Sequence, residues 1–108
     1  MINALFVCSA NKLRSPTAEQ VFSTYNGVET DSAGLLETAD TRLSPEQIEW
    51  SDIIFVMEKR HRSKLSKQFK RYLNGKWIIC LEIPDEYEYM QPELVALLER
   101  KAGPFLRR

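Results

Sequence analysis

The sequence has few cysteines, no excess charge and no long apolar run. Two cysteines in 108 residues cannot form the disulfide framework of a small secreted domain, and they lack the paired spacing of a zinc site. The 15 basic and 15 acidic residues cancel, which argues against a wholly basic nucleic-acid-binding protein. No run approaches the roughly 18 apolar residues of a membrane span, and the N-terminus lacks the features of a signal peptide. We therefore expect a cytoplasmic protein that has no membrane partner.

Charge is nevertheless divided between two segments. Residues 58–71 carry seven Lys or Arg and one Glu, whereas residues 82–99 carry six acidic residues and no Lys or Arg. A positive face on a single helix is usually a solvated face. Nucleic acid is therefore not an expected partner.

Predicted strands and helices alternate along the chain. The length is that of a single domain, here residues 1–108. Short apolar runs predict strands at 2–7, 28–33, 52–57 and 76–81. Capping and turn signals predict helices from the N-cap Ser15 to 26–27, from 44 to 50, over 58–71, and from near 92 to 103–104. This alternation predicts a three-layer α/β fold with a parallel sheet and helices on both faces.

The loop after the first strand begins at Cys8 and reaches Arg14 as the first helix begins. Ligands of parallel α/β sheets bind beyond the carboxyl ends of the strands. A loop that enters a helix N-terminus directs several backbone N–H groups toward one point, which favours an anion. The same amides stabilise a thiolate, and an arginine adds a two-pronged donor. The pattern differs from the G-x-x-x-x-G-K-[ST] of a nucleotide-binding loop.

The same residues have a purely structural interpretation. A cysteine at a strand end is often a small buried side chain, and an arginine at a helix start is often a surface residue. We favour the phosphate loop because the strand, the cysteine, the arginine and the helix start occur together. His61 lies on an apolar helical stripe with Met57, Leu65 and Phe69, which predicts a packed histidine and not a catalytic one.

The stretch CSANKLRSP resembles the C-x-G-N-x-x-R-S-P signature of the low-molecular-weight protein-tyrosine phosphatases. DSAG at 31–34, SDIIFVMEKRH at 51–61 and IPDEY at 83–87 resemble later segments of that family in the same order, so the likeness covers nearly the whole chain. The resemblance implies a four-stranded parallel sheet in the order 2-1-3-4.

The resemblance also implies a set of site residues. Cys8 would be the nucleophile, Arg14 the phosphate clamp and Asp85 the general acid. Tyr87 would follow the family's aromatic residue at the pocket wall. Ser15 would hydrogen-bond the sulfur, and Asn11 would brace the loop. The implied phosphate-binding residues are Ser9, Ala10, Asn11, Lys12, Leu13, Arg14 and Ser15.

Several positions depart from the family pattern. Ala10 replaces the usual loop glycine, and Glu86 replaces the proline after the acid. Lys12 stands where the family has an apolar side chain; its ammonium would either attract a second negative group on the substrate or point into solvent. Segment 35–50 is shorter than usual, and Cys80 is expected to be buried.

Together these features predict a phosphomonoester hydrolase, a protein-tyrosine phosphatase that acts through a cysteinyl-phosphate intermediate. Its substrates would be phosphorylated proteins or small phosphomonoesters, and its loop would bind phosphate or a similar oxyanion. No metal or other cofactor is expected. Two alternatives remain: an arsenate-reductase-like enzyme, which needs further cysteines, and a non-catalytic domain that binds an anion or a partner.

Overall fold

The computed structural model describes residues 1–107, which form a four-stranded parallel sheet in the order β2-β1-β3-β4. The strands are β1 (Ile2–Cys8), β2 (Val28–Gly34), β3 (Ile53–Val56) and β4 (Trp77–Cys80). The predicted fold class and strand order are confirmed. The sheet forms because β1 and β3 are buried on both faces, as the central strands of a parallel sheet must be.

The described residues form five α-helices. They are α1 (Arg14–Phe22), α2 (Pro45–Trp50), α3 (Lys59–Phe69), α4 (Pro92–Lys101) and α5 (Gly103–Leu106). Helix α2 has the predicted capping box between Ser44 and Gln47. None of the helices in residues 1–107 combines the length and the apolar character needed to cross a membrane.

Several helix boundaries differ from the prediction. Helix α1 ends at Phe22, ahead of the predicted end at 26–27, and α3 ends at Phe69 and is followed by a 3-10 helix over Lys70–Tyr72. Leu13, and not Ser15, is the N-cap of α1, because the Ser15 hydroxyl is taken up by side chains of the preceding loop. Helix α4 ends before Gly103 as predicted, but Gly103 and Pro104 begin the further short helix α5 instead of a terminal loop. Proline is compatible with the first turn of a helix because its missing N–H has no intrahelical partner there.

The core has two parts, one on each face of the sheet. Side chains alternate along β1, so Phe6 and Cys8 face α1 and α4, whereas Leu5 and Val7 face α2 and α3. On the first face Phe6 stacks between Phe22 and Phe55, with ring centroids 5.5 and 5.1 Å apart. This packing fixes β1 at the centre of the molecule, and Cys8 is its last residue.

Candidate active site

The loop from Cys8 to Arg14 is held by backbone hydrogen bonds from the segment after β2. Three consecutive loop carbonyls accept these bonds, so they are directed away from the space that the loop encloses. The pairs are Leu35 N to Cys8 O at 3.0 Å, Leu36 N to Ser9 O at 3.0 Å, and Asp40 N to Ala10 O at 3.1 Å. The loop geometry thus depends on a segment that lies 27 to 30 residues away along the chain.

The amide N–H groups of the same loop remain available. Within residues 1–107, the N–H groups of 9–14 enter no backbone or side-chain hydrogen bond. Asn11 turns the chain with φ of 56°, the left-handed conformation that asparagine tolerates. A cavity of about 180 Å³ lies at this point and is lined by Cys8, Ser9, Ala10, Lys12, Leu13, Arg14 and Asp85. Unpaired amides beside a helix N-terminus favour an anion.

A buried chain of hydrogen bonds ends at the Cys8 sulfur. Asn11 Nδ2 donates to Ser15 Oγ at 2.9 Å and to Ser32 Oγ at 3.0 Å, and the Ser32 hydroxyl in turn donates to the Glu19 carboxylate. Ser15 Oγ lies 2.9 Å from Cys8 Sγ. Because the Ser15 oxygen accepts from the asparagine amide, its own proton can be donated to the sulfur, which stabilises a thiolate.

Arg14 is fixed by one of its terminal nitrogens. Its side chain is 2% exposed, and Nη1 donates to the Ile83 carbonyl at 2.7 Å and to the Glu58 carboxylate. Nε lies 3.7 Å from Asp85 Oδ1. Nε and Nη2 donate no hydrogen bond within residues 1–107, so the edge that they form can make a two-pronged contact with an oxyanion in the small cavity, beside the Asp85 carboxylate.

Glu58 is ionised in this arrangement. Hydrogen bonds from Arg60 and then from Arg14 lower the pKa of Glu58 to about 2, against the opposing effect of burial. A carboxylate that remains charged at all working pH values holds the Arg14 guanidinium in one orientation. Glu58 is the second residue after β3, so the carboxyl edge of the sheet places it beside the loop.

His61 supports the loop from α3. Its Nδ1 accepts from the Glu58 N–H at 3.1 Å, so the proton lies on Nε2, which donates to Ser9 Oγ at 2.9 Å. Burial, and then the charges of Arg14 and Arg60, lower the pKa of His61 to about 4. The histidine is packed, as predicted. Its hydrogen bond to the loop residue Ser9 was not predicted.

Gly34 allows the loop to approach β2. A Cβ at this position would lie 2.6 Å from the Ser9 carbonyl oxygen and 3.0 Å from the Asn11 nitrogen. Real Cβ atoms do not come this close to backbone, so glycine is required by contact and not by its dihedral angles.

Asp85 lies on an exposed loop that is attached at both ends. Ile83 N donates to the Met57 carbonyl at 2.8 Å, and Met90 N donates to Thr17 Oγ1 at 3.0 Å. Asp85 itself is 59% exposed and lines the small cavity. Its carboxylate is therefore at the mouth of the cavity while the flanking backbone is held in place.

The structure also gives the surroundings of Lys12, Tyr87 and Cys80. Lys12 pairs with Asp40 at 2.7 Å, so the charge predicted to attract a substrate group already has a partner. Tyr87 packs half-buried against the core cluster that contains Cys8. Cys80 is half-buried, not buried as expected, because β4 is the edge strand of the sheet.

A larger cavity of about 760 Å³ lies beside the small one. The two share Ser9, Ala10 and Asp85. The remaining lining residues are Leu36 on one side and, from α3, Arg60, His61, Ser63, Lys64 and Lys67. The α3 side chains were not predicted to be part of the site, because their distance along the sequence gives no sign of it.

The fold and this geometry define a class: a parallel α/β protein with an anion loop between a strand-end cysteine and a buried arginine. The family model described as low molecular weight phosphotyrosine protein phosphatase matches residues 3–50. The low molecular weight protein-tyrosine-phosphatase Wzb of Escherichia coli K12 is 31% identical over 93% of this chain and 90% of its own length. The chain therefore belongs to the low-molecular-weight protein-tyrosine-phosphatase family, whose members are cysteine-dependent phosphatases.

Solved structures agree on the fold. The tyrosine phosphatase Wzb from Escherichia coli K30 in complex with phosphate superimposes with a TM-score of 0.78 at 20% identity, covering 98% of this chain and 97% of that one. The YwlE arginine phosphatase from Geobacillus stearothermophilus gives 0.77 at 21% identity, covering 97% and 93%.

Proposed function

We propose that residues 1–108 form a single phosphatase domain that hydrolyses phosphotyrosine through a cysteinyl-phosphate intermediate. The observation that carries the proposal is the Ser15 hydroxyl 2.9 Å from the Cys8 sulfur, in a loop that ends at the buried Arg14. A donor on the sulfur and a fixed guanidinium are what a thiolate nucleophile and a phosphate dianion need. The two free cysteines suit a reducing compartment such as the cytoplasm.

In the first step the Cys8 thiolate attacks phosphorus, and the bond from phosphorus to the ester oxygen breaks. The backbone N–H groups from Ser9 to Ser15 and the Arg14 edge hold the three other phosphate oxygens. Asp85, in its protonated form, gives its proton to the departing oxygen, because a phenoxide or alkoxide leaves poorly without one.

In the second step a water molecule attacks phosphorus, and the bond from sulfur to phosphorus breaks. Asp85, now a carboxylate, takes the proton from that water. The Ser15 hydroxyl donates to the sulfur as its charge returns, which makes the thiolate a better leaving group. Inorganic phosphate is released and the starting state is restored.

The proposed substrate is an aryl phosphate on a protein. The relatives named above include tyrosine phosphatases and an arginine phosphatase, so their names alone do not choose between the two. Leu36 is 38% exposed and lines the larger cavity opposite α3, where it offers an apolar contact to a ring whose phosphate is in the loop.

An arsenate reductase would need to pass oxidising equivalents from Cys8 to another thiol of the chain. Cys80 is the second of only two cysteines. Cys8 belongs to the core cluster on the α1 face of the sheet, and Cys80 packs against the cluster on the α3 face. Because the sheet separates the two sulfurs, this route is disfavoured.

Turnover of para-nitrophenyl phosphate in the presence of a metal chelator tests the proposal. We expect wild type to hydrolyse the ester and Cys8→Ser to be inactive while still binding phosphate. Mass spectrometry after rapid acid quench should find the phosphoryl group on the peptide that contains Cys8. Turnover in Cys8→Ser would exclude the covalent mechanism.

Cys80→Ser is the matched control. A phosphatase that uses Cys8 alone keeps its rate in this variant, whereas thiol-dependent arsenate reduction that relies on both sulfurs is lost. Arsenate reduction in wild type that disappears in Cys80→Ser, without ester hydrolysis in either protein, would favour the reductase.

A further inference from the structure

The exposed face of α3 forms a basic wall on the larger cavity. Arg60, Lys64 and Lys67 recur at i, i+4 and i+7, so they lie on one side of the helix, and all three line the cavity. Lys67 also lines a neighbouring groove with Lys70 and Arg71, which extends the positive surface away from the loop. We call Arg60, Lys64 and Lys67 the α3 basic wall.

Two of these charges have no acidic partner among residues 1–107. Arg60 hydrogen-bonds the Glu58 carboxylate at 3.0 Å. Lys64 and Lys67 are exposed, and within the described part of the chain neither one lies at ion-pair distance from an acidic side chain. Lys12, in contrast, is already paired with Asp40. The unpaired positive charge next to the loop is therefore on α3.

The position of the wall defines what can bind to it. The larger cavity shares Ser9, Ala10 and Asp85 with the phosphate cavity, so a group on the wall can be part of the molecule whose phosphate is in the loop. The seven helical steps from Arg60 to Lys67 span about 10 Å. An extended peptide covers that distance in about three residues.

We propose that the α3 basic wall selects phosphopeptides with acidic residues within about three positions of the phosphorylated residue, bound through Lys64 and Lys67. This proposal rests on the proposed phosphatase function. A nucleic acid fits less well, because the wall faces the uncharged Leu36 and the acidic Asp85, and the net charge of the chain is zero.

Two phosphotyrosyl peptides of equal length test the wall, one with Glu and one with Gln at the three positions on each side. We expect wild type to favour the Glu peptide by roughly three- to tenfold in kcat/KM, as two partly exposed ion pairs would give. In the double variant Lys64→Gln, Lys67→Gln this ratio should approach one. Salt at about 1 M, where the Debye length is about 3 Å, should remove the preference from wild type.

A matched control removes the same charge elsewhere. Lys59 and Arg100 are exposed and do not line the larger cavity. The double variant Lys59→Gln, Arg100→Gln should keep the wild-type ratio of kcat/KM for the two peptides. If both double variants lose the preference equally, the preference depends on net charge and the proposal is wrong. The reversed variant Lys64→Glu, Lys67→Glu should prefer a Lys-flanked peptide, and an unchanged preference would also overturn the proposal.

Para-nitrophenyl phosphate separates this proposal from the phosphatase function. If wild type hydrolyses this ester but shows no preference between the peptides, only the wall is wrong. If it hydrolyses no ester, the phosphatase function is wrong. The wall is then tested by binding of the unphosphorylated peptides: tighter binding of the Glu peptide supports it, and equal binding of the Glu and Gln peptides contradicts it. An oligonucleotide without terminal phosphate and an acidic peptide of equal charge can each be added as a competitor of the Glu phosphopeptide. If the single-stranded oligonucleotide competes more strongly, the wall binds nucleic acid and the proposal is wrong.

Discussion

Gly34 and Ser9 are in such close contact that a Cβ on Gly34 would lie 2.6 Å from the Ser9 carbonyl oxygen. The end of β2 therefore has no room for a larger residue, and the phosphate loop lies directly against it.

The first prediction is that Gly34→Ala displaces the loop. Two of the three closest atoms are loop backbone, the Ser9 oxygen and the Asn11 nitrogen, and the third is the Ala39 Cβ at 2.6 Å. The loop must therefore move together with the segment after β2, at a cost of roughly 1–3 kcal/mol in the free energy of unfolding. We expect kcat/KM for para-nitrophenyl phosphate to fall at least about tenfold, because a displaced loop misaligns its amides and Cys8. Gly75→Ala is the control: φ at Gly75 is +78° and the space around it is open, so it should lose stability but not kcat/KM.

The second prediction is that Arg14→Lys loses both phosphate binding and rate. A lysine can reach Glu58 but cannot reproduce the edge formed by Nε and Nη2. Loss of one charge-assisted hydrogen bond should lower kcat/KM roughly 10- to 100-fold. Arg60→Lys is the control, since Arg60 bonds the same carboxylate but does not line the small cavity. An unaltered kcat/KM in Arg14→Lys would contradict the role of this arginine.

The third prediction concerns Asp85 as general acid. Asp85→Asn should slow esters with poor leaving groups by about 10² or more, and activated aryl phosphates much less. Rates for a series of aryl phosphates, plotted against the pKa of the leaving phenol, measure this difference. Glu86→Gln and Glu88→Gln, on the same exposed loop, should leave the slope of that plot as in wild type. Equal losses on all esters in Asp85→Asn would make this aspartate a structural residue.

The fourth prediction concerns stability and pH. The pKa of His61 is lowered from 6.5 to about 4 in the folded protein, so between these values the unfolded chain binds a proton that the folded chain does not. The free energy of unfolding is therefore highest, as far as His61 is concerned, above pH 6.5. It decreases as the pH falls, by about 3 kcal/mol when pH 4 is reached. Urea unfolding between about pH 7.5 and about pH 4.5 should show this decrease in wild type. In His61→Gln the free energy of unfolding should depend less on pH.

The chain has a single histidine, so its imidazole resonance can be followed without ambiguity. An NMR titration of the folded protein should give a pKa near 4 for that resonance. The unfolding series stops at about pH 4.5, where the contribution of Glu58, whose pKa is lowered from 4.5 to about 2, is only beginning to be lost. A histidine that titrates near 6.5 in the folded protein would remove the basis of this prediction.

Local patterns were enough to predict the sheet and the order of its elements. Apolar runs and turn signals lie next to one another in the sequence, so all four strands were predicted within one residue of their ends. The predicted N-cap of α1, Ser15, was wrong, because a serine at a helix start has the local features of a cap. Its actual partners, Cys8 and Asn11, are set by the folded loop.

The supports of the site could not be predicted in the same way. Glu58 is 44 residues from Arg14, and His61 is 52 residues from Ser9. No periodicity connects such pairs, because they meet only when β1 and β3 are paired in the sheet. One available signal was the position of Glu58 directly after the predicted strand 52–57, since strand ends in a parallel sheet converge on the same edge.

The hydrogen bonds from Leu35, Leu36 and Asp40 to the loop carbonyls make the anion cavity a product of tertiary folding. In the unfolded chain these residues are apart and the cavity does not exist. An anion that binds in the loop therefore binds only the folded protein and shifts the folding equilibrium toward it. Phosphate at a hundred times its dissociation constant would then raise the free energy of unfolding by about 2.7 kcal/mol. Product inhibition and thermal stabilisation by phosphate become two measurements of one equilibrium.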